Sequence, residues 1–141
     1  MTRSLLITGG AGFIASNFIH YWTKKYPSDR IVILDVLSYA SNLNSIKSLL
    51  IKKEITFIKG NIKDNLLIKD ILFKYEISHV INFAAETHVD RSIKSHSIFI
   101  DTNILGTYNF LEAFRKYWEK NNKPKHWKFI HISTDEVFGS L

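Results

Sequence analysis

The 141-residue sequence contains no cysteine, so it has neither a disulfide framework nor a thiolate metal site, an absence that suits a reducing cytoplasm. It also has no apolar run long enough to span a bilayer. The earliest such run, Leu5 to Thr8, is too short for the apolar region of an export signal and ends in glycines. Proline occurs only twice. Pro124 and two asparagines fall in the polar connector EKNNKPKH, residues 119–126, where they stop a helix. Internal repeats, low-complexity linkers and a helical H-E-x-x-H are all missing. What remains, 45% apolar residues at near-zero mean hydropathy, suffices for one core and hence a single domain or part of one.

The formal charge of +6 raises the question of a polyanionic partner. The basic residues are scattered, however. Lys24-Lys25, Lys52-Lys53 and Lys123 with Lys125 fall near expected element ends and polar turns, the places where lysines are solvated, so nucleic acid is not the expected partner. A net positive field attracts a phosphorylated small molecule equally well.

Short β-branched runs alternate with longer stretches of helical period, as in a parallel sheet with crossover helices. Strands are expected near Ser4 to Thr8, Ile31 to Asp35, Ile55 to Lys59, His79 to Ala84 and Lys128 to Ser133. Helices are expected near Gly12 to Lys25, Leu43 to Ile51, Asn65 to Tyr75 and Ser95 to Glu119. LLIT and IVIL are continuous apolar runs, so both sheet faces should be covered. The fold class is α/β, a Rossmann-like sheet of about five strands in the order 3-2-1-4-5 with helices on both faces. Ile14, Phe18, Tyr21 and Trp22 form a stripe on the first helix, and Ile104, Tyr108, Leu111, Phe114 and Trp118 another on the fourth. Both are expected to pack against the sheet.

Directly after the first strand comes TGGAGFIAS, which satisfies G-x-G-x-x-G/A through Gly10, Gly12 and Ala15, and T-G-x-x-G-x-x-A through Gly9. Between a strand and a helix, missing side chains let backbone N–H groups and the helix dipole approach a pyrophosphate. A tight turn with no ligand is the bland alternative. Asp35 decides between them, because it ends the second strand 23 positions after Gly12, close to the separation at which an acid meets the adenosine ribose. A carboxylate there accepts from a free 2′-hydroxyl and repels a 2′-phosphate, so NAD is expected rather than NADP. Asn61 and Ile62 close the third strand with an amide and an apolar group suited to an adenine edge. Asn82-Phe83-Ala84-Ala85 ends the fourth in small residues, past which a cofactor can run. Either could equally be a plain strand end.

Glu86 to Ser92, ETHVDRS, is a polar loop expected to face the same crevice. With no cysteine present, His88 and Asp90 there suggest substrate-hydroxyl contacts or turn hydrogen bonds rather than a metal. Asn103 is expected to bond neighbouring backbone. Thr134, Asp135 and Glu136 leave the fifth strand at its carboxyl end. Two carboxylates in unequal environments can divide into a protonated acid and a base, which is the equipment for eliminating water. A solvated acidic turn or helix N-cap is the alternative reading.

TGGAGFIAS, DVLSYASNL, KGNIKD, NFAAETHVDRS, TNILGT and HISTDEVFGSL together resemble the nucleotide-sugar 4,6-dehydratases of the extended short-chain dehydrogenase/reductase family, over essentially the whole chain. The loop NFAAETHVDRS is most like that of the dTDP-glucose enzymes; ASNL also looks like the UDP-glucose ones. The resemblance implies an NAD-dependent internal redox cycle ending in a 4-keto-6-deoxy sugar. By motif, Asp135 would protonate the departing C6 hydroxyl, Glu136 would remove the C5 proton, and Thr134 would bond near the sugar C4 oxygen. Thr87 would also touch the nucleotide-sugar substrate. Gly9, Gly12, Phe13, Ile14, Asp35, Ser38, Asn61, Ile62, Ala84, Ala85 and Thr102 would fall on the cofactor. Ala15 replaces a usual glycine and Asn61 a common aspartate.

The family's Tyr-x-x-x-Lys pair should follow the D-E motif on a later helix, and the sequence does not contain it there. Only Tyr21 has a lysine four positions on, Lys25, and it lies far upstream on a helix expected to pack against the sheet. The resemblance therefore implies an amino-terminal portion, residues 1–141 of a dinucleotide-binding domain, without the sugar-binding lobe. It also implies an inactive fragment of a full-length homodimer that has the fourth helix at its interface. A related epimerase, or a non-catalytic dinucleotide-binding module, would share the glycine turn.

Overall fold

The computed structural model describes residues 2–88, 90, 93 and 95–139. Its five strands are β1 (Ser4–Thr8), β2 (Arg30–Asp35), β3 (Thr56–Lys59), β4 (His79–Asn82) and β5 (Lys128–His131). They pair in parallel, as the alternating pattern implies, and in the expected order β3-β2-β1-β4-β5. The expected extensions of β4 to Ala84 and β5 to Ser133 do not form, and β3 starts at Thr56. The ends differ because the ladders stop at Asn82 and His131, where the chain turns away to build loops.

The helices are α1 (Phe13–Lys25), α2 (Lys47–Ile51), α3 (Asn65–Lys74), α4 (His96–Phe99) and α5 (Thr107–Lys120). A 3₁₀ turn, Leu43–Ile46, leads into α2, so the expected helix Leu43 to Ile51 is composite. Asn42 caps that turn, accepting from the Asn44 N–H at 3.0 Å. Asp64 caps α3 by accepting from the N–H groups of Leu66 and Leu67 at 3.1 and 3.0 Å. Between α4 and α5, residues Ile100–Gly106 form a π-helix, so the long fourth helix is wound in three segments rather than one. The last of them, Gly106, sits where a methyl group would come within 2.9 Å of Ile62.

Leu6, Val32, Leu34 and Val80 face one side of the sheet and pack with Ile68, Ile71 and Leu72 of α3 and Phe110, Phe114 and Tyr117 of α5. Leu5, Ile7, Ile31, Ile33 and Ile81 face the other side, packing on Ala15 and Ile19 of α1 and on Leu49 of α2. This corrects both expected helix stripes. On α1 the buried contacts are Ala15 and Ile19, with Phe18 and Trp22 partly covered, whereas Ile14 and Tyr21 are exposed. Small side chains let that helix approach closely, which a reading weighted toward bulk misses. Of the second expected stripe only Phe114 is buried; Ile104 in the π-helix and Tyr108 and Leu111 on α5 are exposed. The true inner row, Phe110-Ala113-Phe114-Tyr117, is the i, i+3, i+4, i+7 set one step out of phase.

β5 is an outer strand of the sheet, with Ile130 exposed on it and Ile132 exposed just beyond its end. No helix among the described residues is long and apolar enough to cross a membrane.

Candidate functional site

The carboxyl ends of β1, β2 and β4 meet at the glycine turn. Gly9 takes a φ of +66°, and its N–H donates to the Leu34 carbonyl at 2.9 Å. A methyl group on Gly9 would lie 2.9 to 3.0 Å from backbone atoms of Phe83 and Ala84, and one on Gly10 only 2.4 Å from Ile33 Cγ2. These two glycines are therefore required by packing. Gly12 differs: a methyl group there would meet only the Gly9 carbonyl oxygen, at 3.1 Å. Its missing side chain leaves the mouth of the turn open. The first helical bond of α1 runs from Ser16 N–H to Gly12 O, so the N–H groups of Phe13, Ile14 and Ala15 precede it and receive no partner from the helix. With the positive end of the helix dipole, they form a cradle for negative charge. Phe13 and Ile14 are exposed beside it, and Ala15, at the third glycine position, is buried against the sheet.

Asp35 faces this turn. Its Oδ2 accepts from the Ala11 N–H at 2.9 Å, and its Oδ1 accepts from the Leu37 N–H at 2.7 Å and the Ser41 hydroxyl at 2.8 Å. Three donors occupy three of the roughly four lone-pair positions of a carboxylate, leaving room for one further donor. The loop after β2 is tied to the turn by Asn42 N–H donating to Ala11 O at 2.8 Å. Ser38 closes a turn through its carbonyl, which accepts from Ser41 N–H at 3.0 Å. Asn61 spends its Oδ1 on the Lys63 N–H at 3.0 Å, and Ile62 is buried against α5.

A second cluster lies at the ends of β4 and β5. Thr8, Asn82 and His131 occupy one register row. The Thr8 hydroxyl donates to the Asn82 Oδ1, and the Asn82 amide and His131 Nδ1 are 3.1 Å apart. Asn82 also accepts the Ile132 N–H on its backbone carbonyl at 3.0 Å. This row was not singled out from the sequence, although a polar residue closing each of three strands with apolar centres is the signal that reveals it. Ala84 donates its N–H to Thr8 Oγ1 at 3.4 Å, and Ala85 is exposed.

Asn103, carried by the π-helix, bonds backbone as expected. It donates to Glu86 O at 2.9 Å and accepts from Glu86 N–H at 2.8 Å. Glu86 Oε2 and Thr107 Oγ1 are buried without hydrogen-bond partners among the described residues. Thr102 is half-buried in the same π-helix, while Thr87, His88 and Asp90 are exposed. Val89, Arg91 and Ser92 of the ETHVDRS loop lie outside the described residues. Beyond β5, Asp135 opens a 3₁₀ helix, Asp135–Phe138, with the Thr134 hydroxyl 3.4 Å from its Oδ1. Thr134 and Asp135 are exposed; Glu136 is in that helix, but its side chain lies outside the description.

Tyr21 and Lys25 are not packed on the sheet. They sit on the outer face of α1, where Lys25 Nζ donates to the Tyr21 hydroxyl at 2.7 Å and that contact raises the lysine above its ordinary pKa. Because α1 runs back from the carboxyl ends of the strands, this pair stands toward the amino edge, away from Asp135.

A family model described as GDP-mannose 4,6 dehydratase matches residues 6–141. The chain belongs to that family. Within the GDP-mannose 4,6 dehydratase family, it is similar to the dTDP-glucose 4,6-dehydratase of Xanthomonas campestris, with 45% identity over 96% of this chain and 39% of the relative. The dTDP-D-glucose 4,6-dehydratase of Dictyostelium discoideum is 46% identical over 98% of this chain and 30% of its own length. Among solved structures, the Streptomyces venezuelae dTDP-glucose 4,6-dehydratase DesIV, with NAD bound, matches at a TM-score of 0.84 and 36% identity, over 99% of this chain and 42% of that one. The chain thus spans between 30% and 42% of these relatives, and the family match, residues 6–141, takes in the sheet and the acidic loop.

Proposed function

We propose that this chain is the NAD-binding part of a dTDP-glucose 4,6-dehydratase, with the sugar-binding lobe and a Tyr-x-x-x-Lys pair supplied by sequence beyond residues 1–141. The observation that carries the reading is the pairing of an open Gly12 turn with Asp35, whose carboxylate retains one acceptor position. NAD fits these residues: the cradle at Gly12, Phe13 and Ile14 would take the diphosphate, Asp35 the adenosine ribose hydroxyls, and Ser38, Asn61 and Ile62 the adenine end. Ala84, Ala85 and Thr102 would follow it across the sheet. When bound, NAD supplies hydride acceptance and return.

The chain's own residues do the acid–base work. Asp135 would hold the proton given to the departing C6 hydroxyl, Glu136 would take the C5 proton, and Thr134 would hydrogen-bond near the C4 oxygen, with Thr87 on the substrate. The names of the relatives support dTDP over UDP as the nucleotide.

Calorimetry with NAD and NADP tests the binding half. NAD should bind and NADP should bind at least tenfold more weakly. Asp35→Ala should lower NAD affinity about tenfold to a hundredfold, the effect of losing a hydrogen bond to a charged group. Equal affinity for both dinucleotides would overturn the assignment. A product assay with dTDP-glucose and UDP-glucose on the full-length protein tests the substrate.

We also propose that the exposed row Ile104, Tyr108 and Leu111 on the long helix packs against a second copy. Sedimentation equilibrium should then give a dimer, and Tyr108→Glu should shift it to monomer. A wild-type monomer at micromolar concentration would contradict this.

A further inference from the structure

At the amino-terminal edge of the sheet, remote from the glycine turn, a cleft of about 420 Å³ opens between the starts of β1, β2 and β4 and the connector before β5. Five residues of β1 at about 3.3 Å each put it roughly 16 Å from the turn. Arg3, Arg30, His79 and His126 line it, with Glu76 as the acidic wall residue.

The basic groups are held in different ways. Arg3 is locked: its Nε donates to Asp29 Oδ2 at 2.8 Å and its N–H to Oδ1 at 3.0 Å. Its guanidinium also lies 4.8 Å from the Trp22 ring centre and 4.2 Å from that of Tyr26. Asp29 is further committed to the Trp22 indole N–H at 3.1 Å. Arg30 reaches only the Tyr75 carbonyl, at 3.3 Å, and forms no ion pair among the described residues.

His79 is half-buried on the floor, with Nδ1 2.9 Å from Ser78 Oγ, which in turn donates to Ser4 O at 3.2 Å. The Ser78 oxygen also accepts the Ser4 N–H at 3.2 Å, and with its own proton turned to Ser4 O it keeps one lone pair that can accept from an Nδ1–H. An imidazolium therefore finds its inner partner already built, and its Nε2–H remains for a ligand.

We propose that this cleft binds the phosphoryl group of a phosphate monoester, through Arg30, His79 and His126. The volume exceeds that of a bare phosphate ion and accommodates a small esterified carbon skeleton. Local charge supports the assignment. Around His79 stand Arg3, Arg30, His126 and Lys128 against Asp29 and Glu76. Burial first, then Arg3 and His126, with a smaller push from Lys128, hold His79 below its ordinary pKa despite Asp29. The site carries more positive charge than it neutralises, and a dianion supplies the missing counter-charge. This inference does not rest on the proposed dehydratase activity.

The test follows His79 by imidazole NMR across pH 5 to 8 at fixed ionic strength, with saturating NAD present to occupy the glycine turn. Glycerol 3-phosphate should raise the His79 midpoint by about one unit, equivalent to about tenfold tighter binding to the imidazolium form. Inorganic phosphate, the alternative source of the same group, should do so more weakly. Arg30→Gln, at an exposed position, should weaken binding about tenfold, and Glu76→Gln should strengthen it severalfold. The proposal is overturned if the midpoint does not move, if chloride moves it equally, or if Arg30→Gln binds as the wild type does.

Discussion

Gly9→Ala is expected to lower the melting temperature by about 10 °C, whereas Gly12→Ala is expected to fold almost normally and bind NAD about a hundredfold more weakly. At Gly9, φ is +66° and the added methyl group meets backbone of Phe83 and Ala84 at 2.9 to 3.0 Å. The left-handed conformation costs an alanine about 1–2 kcal/mol. Forcing the strand ends apart adds about 1–3 kcal/mol, because backbone cannot step aside as a rotamer can. About 3 kcal/mol in total corresponds to about 10 °C in a domain of this size. At Gly12 the backbone is at φ −76°, open to any residue, and the methyl group meets a single backbone atom, the Gly9 carbonyl oxygen at 3.1 Å, which must give by a few tenths of an ångström, so folding loses about 1 kcal/mol, less than at Gly9. In the proposed site, however, the same methyl group would fill the space through which the diphosphate approaches the helix N–H groups. Two charge-assisted hydrogen bonds at about 1.5 kcal/mol each account for the hundredfold. Differential scanning calorimetry and NAD titration on the two variants separate the roles. A Gly12→Ala protein with wild-type NAD affinity would remove the basis for the proposed site.

Asp135→Asn and Glu136→Gln in the full-length protein are each expected to reduce formation of the 4-keto product by about 10²–10⁴, the range for loss of a positioned acid or base. Binding of dTDP-glucose, measured by calorimetry, should change little, because each amide keeps the shape and some of the hydrogen bonding of the acid it replaces. Under the proposed mechanism both groups act in one elimination, so loss in the double variant should fall well short of the product of the single losses. Undiminished product from either variant would exclude that residue from the chemistry and return the pair to its plainer reading as an exposed acidic turn.

The sheet was legible in the sequence because buried parallel strands are written as unbroken apolar runs, and LLIT and IVIL occupy β1 and β2. The glycine turn and Asp35 were legible because their spacing is fixed by the strand–turn–helix geometry itself. The helix faces were not. α5 carries apolar residues on two sides, so its period fits either, and only packing selects Phe110 and Tyr117 over Tyr108 and Leu111. The π-helical stretch adds to the difficulty, since an extra residue in the turn rotates everything beyond it without any composition signal. The partners of Asp35 were likewise hidden, because Ala11 contributes a backbone N–H and Ser41 lies in an irregular loop. The amino-edge cleft was invisible for a further reason: Arg3, Arg30, His79 and His126 are strewn along the chain and meet only when the strands align their first residues.

The Thr8–Asn82–His131 row works as a tie-bar. Thr8 precedes the glycine turn by one residue, and His131 precedes Thr134 and Asp135 by three and four. Asn82 is fully enclosed between them and grips β5 with both its side-chain amide and its carbonyl oxygen. The two ends of the crevice are thereby braced to one another through three adjacent strands, and parting β1 from β4 would strand the enclosed Thr8 and Asn82 side chains without partners.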